Sequence, residues 1–185
     1  EDPTAQPETP ETPDVPVTPT DPETPTEPET PSVPENEWIA LPAGNTYVLD
    51  TDGIDSGAMY LIVASSYAKA LSATTSNNNA VSITIDGNNA TADAAYGWIF
   101  TASGSGYTIQ NNGTYLGRSS SKLAAGSSST TWTVSNSGSG QYTITQSSGS
   151  SNWWGGSKYY VRWSNSNGYF QASTSSTDPV RLYKY

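Results

Sequence analysis

The sequence predicts an all-β module of three four-strand units, reached through a long proline-rich leader. Three observations carry that expectation. Apolar or alternating runs recur in sets of four, and each run is too short for a helix. Asn-Gly, Ser-rich and Gly-Ser stretches separate the runs, as turns between strands require. The four-part phrase occurs three times, at roughly 35 to 47 residues each, which is the mark of units that bury a core only together. A β-sandwich is the alternative architecture, because frequent turns and alternation serve both.

The leader comes first. From Pro7 to Pro34 a proline falls at every third residue, with Thr and Glu between. Polyproline II has three residues per turn, so the prolines line one edge. Without large apolar residues the segment has no core to form, and residues 1–36 read as a disordered Pro/Thr/Glu spacer. A PxxP ligand for an aromatic groove is the weaker reading. Composition changes at Glu37-Trp38, and residues 37–185 read as one domain.

Within that domain Trp38–Leu41 and Tyr47–Leu49 are two short strand candidates. Asp50-Thr-Asp-Gly-Ile-Asp55 follows; its carboxylates resemble a calcium loop, but Ile54 stands where a ligand oxygen is needed, so a polar turn is expected. The first unit reads Tyr60–Ile62, Ala70–Leu71, Val81–Ile83 and Trp98–Phe100, with Asp86–Ala95 as an extra Asn/Gly/Ala loop. The second and most compact reads Tyr107–Ile109, Tyr115–Gly117, Lys122–Ala124 and Trp132–Val134, with a hairpin turn at Asn111-Asn112-Gly113. The third reads Tyr142–Ile144, Tyr160–Val161, Tyr169–Phe170 and Val180–Leu182. Its extra length, Gln146–Ser157, contains Trp153-Trp154 among Ser and Gly. Tyr60, Tyr107 and Tyr142 are expected at equivalent positions, and Trp98, Trp132 and Leu182 likewise.

Charge and composition exclude several functions. The net charge is −10, yet residues 1–37 hold eleven acids and no base. The rest holds six acids against seven Lys and Arg and is close to neutral, so it has no electrostatic footprint for nucleic acid. No run of 18 apolar residues spans a membrane. The chain reads as a piece of a longer protein, a monomeric module whose signal segment lies upstream. His and Cys are absent, which removes imidazole acid–base chemistry, the usual nucleophilic triads and thiolate or imidazole zinc sites. The domain's aspartates sit mostly in turns, where capping is their ordinary role. The expectation is a protein that is not an enzyme and takes no cofactor or metal.

Three units of about 40 residues, each closing near an aromatic such as Trp98 or Trp132, resemble the ricin-type β-trefoil lectins. The resemblance covers most of 58–185. Tyr60-Leu-Ile-Val and Leu182-Tyr-Lys also look like modules of secreted or cell-surface gut bacterial proteins. The family's Gln-x-Trp stands here as Tyr96-Gly-Trp98 and Thr130-Thr-Trp132. The resemblance implies a twelve-strand β-trefoil, an extracellular location and a glycan partner, mucin-type or polysaccharide.

A sugar offers an apolar face and a ring of hydroxyls, so its site needs an aromatic to stack on and amide, carboxylate or Arg groups. All six Trp and all twelve Tyr lie in the domain. Trp153 and Trp154 are neighbours in a Ser/Gly loop, where large aromatics have no evident folding role. Tyr160 and Arg162 alternate with Tyr159, Val161 and Trp163; if Val161 faces the core, Tyr160 and Arg162 face outward. The expected ligand site is therefore Trp153, Trp154, Tyr160 and Arg162. Trp98 and Trp132 are expected in the core, and Arg118 in a place similar to Arg162. The rival reading is a protein-binding adhesin module, in which the same aromatic loop docks into a protein groove.

Overall fold

The computed structural model describes residues 44–73, 79–147 and 156–185, all within the unit Trp38–Tyr185. The leader, the strand expected at Trp38–Leu41 and the tandem Trp153-Trp154 lie outside the described residues. The fold is all-β, with antiparallel pairing throughout. After β1 (Asn45–Leu49), the first unit comprises β2 (Met59–Ala64), β3 (Lys69–Leu71), β4 (Ala80–Ser82), β5 (Thr84–Asp86), β6 (Asn89–Ala92) and β7 (Trp98–Ser103). The second comprises β8 (Gly106–Asn111), β9 (Thr114–Ser119), β10 (Lys122–Gly126) and β11 (Thr131–Gly138). The third comprises β12 (Gln141–Ser147), β13 (Lys158–Ser164), β14 (Tyr169–Ser173) and β15 (Val180–Lys184).

The first and last strands of each unit close a ring. The pairing runs β2–β7–β8–β11–β12–β15 and returns to β2. Closure leaves these strands no free edge. The two middle strands of each unit form a hairpin on the ring: β3–β4, β9–β10 and β13–β14. The hairpins join one another. Asn79 Nδ2 donates to Phe170 O at 2.7 Å, and Phe170 N donates back to Asn79 Oδ1 at 2.8 Å. Ala172 N donates to Ser121 O at 3.0 Å, tying the third hairpin to the second.

Register defines equivalent positions. Tyr60 pairs with Trp98, Tyr107 with Trp132 and Tyr142 with Val180. The third residue of the Trp98/Trp132 set is therefore Val180 and not Leu182; Leu182 matches Phe100 and Val134, two residues further along each strand. The sequence match failed because both Val180 and Leu182 are apolar and face the same side. Trp98 and Trp132 are fully buried, and each indole N–H donates to a middle-strand carbonyl: Leu71 O at 3.0 Å and Leu116 O at 2.8 Å. These bonds pin the hairpins of the first two units to the ring. Close approach has a residue requirement too: a Cβ on Gly106 would lie 2.3 Å from the Trp132 carbonyl oxygen, so only glycine fits there.

Asp86–Ala95 is not simply a loop. It begins inside a hairpin, β5–β6, turned at Gly87 (φ +58) and followed by a short 3-10 turn, Ala94–Tyr96. Its inward residues Ala90 and Ala92 are small, which hid the alternation. With β1, this hairpin covers the outer face of β2 and β15 and makes a second core around Tyr47, Leu61, Val63 and Tyr183. That is why Tyr60-Leu-Ile-Val-Ala64 is buried on both faces and reads as an unbroken apolar run. The turn expected at Asn112-Gly113 is a two-residue hairpin with both at positive φ (+44 and +74), as Asn-Gly favours.

Candidate functional site

A groove of about 280 Å³ opens where the third unit meets the first. One wall begins where β2 ends at Ala64. The chain leaves the ring there in a 3-10 turn, Ser65–Tyr67, closed by Ala68 at φ +45, whose N–H returns to Ser65 O. The turn pushes Tyr67 to the surface, where it is 44% exposed. Among the described residues the other large hydrophobic side chains this exposed are Val48 and Tyr185, and Tyr67 lines the groove.

Trp163 of β13 packs against Tyr67 and lines the same groove. Its ring centroid lies 5.6 Å from that of Tyr67, tilted by 31°, and it packs edge-on against Phe170 at 5.3 Å. Trp163 is only 6% exposed, and its indole N–H has no hydrogen-bond acceptor among the described residues. Gln141 of β12, Val180 and Arg181 of β15 and the segment Asp178-Pro179 complete the lining.

Arg162 shapes the rim from behind. Its Nη2 donates to Asp178 Oδ2 at 2.9 Å, its Nη1 to Thr177 Oγ1 at 3.1 Å and its Nε to Trp163 O at 3.3 Å. Asp178 stands at φ +63 directly before a proline, a conformation that costs backbone energy. The guanidinium fork holds the bend between β14 and β15 and leaves the carboxylate 63% exposed at the groove. The arrangement thus offers an aromatic face, a carboxylate, an amide and a guanidinium on one concave surface.

Of the expected site residues, Trp153 and Trp154 lie outside the described residues. Arg162 reaches the groove through Asp178. Tyr160 does not line it; it is half-buried, with Lys158 Nζ 5.8 Å from its ring centre. Arg118 is not the counterpart of Arg162. It pairs with Leu123 as Trp163 pairs with Phe170, so it takes the position of Trp163. There it stacks on Tyr159 at 3.8 Å and donates to Gln146 Oε1 and Ser120 O. Tyr67, Gln141, Asp178 and Arg181 escaped the sequence reading. The one local signal is Tyr67, a lone aromatic in Ser65-Ser-Tyr-Ala68 after an apolar strand.

Three other aspartates serve the fold. Asp50 Oδ1 accepts from the backbone N–H of Asp52 and Gly53, which makes the polar turn expected there. Asp93 Oδ1 accepts from Ala95 N, and Asp55 pairs with Lys184. Beside Asp50 lies the buried phenol of Tyr142, raised well above its ordinary value by burial and then by the Asp50 charge. Among the described residues no group of three His, Cys, Asp or Glu is placed to hold a metal.

Comparison with protein-family models, curated proteins and solved structures finds no match.

Proposed function

We propose that the chain is a β-trefoil module that binds glycan without catalysis and attaches a larger extracellular protein to mucin-type or polysaccharide chains. The closed six-strand ring with one hairpin per unit supports the trefoil. The observation that carries the glycan reading is Tyr67, exposed at a groove whose polar groups include a carboxylate, an amide and a guanidinium. Covering ~60–100 Å² of that ring is worth about 1.5–2.5 kcal/mol at ~25 cal/mol per Å². Millimolar to micromolar binding needs only about 4–8 kcal/mol, so one aromatic and a few hydrogen bonds suffice. Trp153 and Trp154, in the third unit, are proposed as a second stacking element.

A glycan array probed with the 185-residue chain tests the reading. Hits are expected that Tyr67→Ala loses, and an array without hits overturns it. A protein-binding adhesin module is the second reading, favoured by the same Tyr, Trp and Arg, which dominate protein hot spots. Free sugar displaces a glycan target and leaves a protein target in place.

A further inference from the structure

We infer that the groove selects an anionic sugar, one bearing a carboxylate or a sulfate, and that Arg181 receives the anion. The inference rests on the glycan reading of the same groove. The module has three arginines, all described. Arg118 lies on the Tyr159 ring and donates to Gln146 and Ser120. Arg162 is held by Asp178, Thr177 and the Trp163 carbonyl. Arg181 lines the groove and is half-buried, and its guanidinium makes no hydrogen bond or ion pair with any described residue.

Its Nε is buried without an acceptor, and so is the indole N–H of Trp163 in the same lining. Buried donors are normally satisfied, and a guanidinium more strictly than a neutral group. Asp178 is the groove's only carboxylate among the described residues, and Arg162 already holds it. The local balance with Arg162 and Asp178 is therefore one positive charge at Arg181. An oxyanion in the groove answers that charge, because guanidinium binds carboxylate or sulfate through paired charge-assisted bonds. Asp178 then remains an acceptor for neighbouring hydroxyls, and Tyr67 remains the stacking face.

The test uses matched sugars: lactose against 3′-sialyllactose and 3′-sulfolactose, and cellobiose against cellobiouronic acid. Binding of each to the full chain is measured by calorimetry at low and high salt. At least one anionic member should bind roughly tenfold tighter than its neutral partner, as expected for a charged hydrogen bond. The preference should shrink at ~0.5 M salt. Arg181→Gln should abolish it, Arg181→Lys should keep part of it, and Tyr67→Ala should weaken both members of the pair. Equal binding of neutral and anionic members overturns the inference and leaves the glycan reading standing. So does a preference that survives in Arg181→Gln. If no sugar of either kind binds, both fall. Should Arg181→Gln not fold, the parent chain's preference and its salt dependence still decide.

Discussion

The indole N–H of Trp132 donates to the backbone carbonyl of Leu116 at 2.8 Å inside the core. Trp98 and Leu71 repeat the bond one unit earlier. Each joins the last strand of a unit to its own hairpin. Trp132→Phe keeps most of the ring and removes the donor, stranding a buried carbonyl. A loss of about 1–3 kcal/mol is expected, against about 3–5 kcal/mol for Trp132→Ala. Urea denaturation measures both; a Phe variant as stable as the parent would show that the bond does not hold the hairpin.

Tyr67 offers a separation of binding from folding. It is nearly half exposed, so Tyr67→Ala opens no core cavity and should cost less than about 1 kcal/mol of stability. Affinity for an array hit should fall about thirtyfold, the equivalent of ~2 kcal/mol. Trp153→Ala and Trp154→Ala make the parallel measurement on the tandem pair. If Tyr67→Ala binds as the parent does and a tandem variant does not, the stacking face is Trp153-Trp154.

Arg162 predicts a third outcome. Its partner Asp178 is mostly exposed, and such ion pairs contribute only about 0–1 kcal/mol to stability. Arg162→Gln should therefore melt close to the parent. It should still weaken sugar binding about tenfold, because the strained bend at Asp178 loses the fork that aims the carboxylate. Asp178→Asn keeps the bend's shape and tests the charge alone. Binding unchanged in both variants would remove this rim from the site.

Alkaline pH should weaken the fold. Burial, then Tyr185 and Asp93, push the Tyr47 phenol up to about 12, and Tyr142 is raised further by burial and Asp50. In the unfolded chain both titrate near ~10. The folded state keeps protons that the unfolded chain releases, so stability is full below about pH 10 and is lost as pH rises through the folded values. Urea midpoints measured from about pH 8 to 12 should decline, and Tyr142→Phe should flatten the decline. A midpoint that does not move across this range contradicts the assignment.

Much of the strand order was legible because its causes are local. Alternation in Tyr107-Thr-Ile109 and the turn chemistry of Asn112-Gly113 need no distant partner. Strand β6 was missed because alanines carry its inward face, and small residues give weak alternation.

What the sequence determined by itself was the all-β class, most of the short strands and the burial of Trp98 and Trp132. Each follows from periodicity within a few residues. The tertiary structure alone decided that Val180 stands level with Trp98, and that Tyr67, Trp163, Asp178 and Arg181 share one groove. Those positions lie on separate strands and turns, and only pairing of β15 with β2 brings the end of the chain beside its first unit. Ring closure is a non-local event, and local pattern carries no record of which surface side chains it will bring face to face.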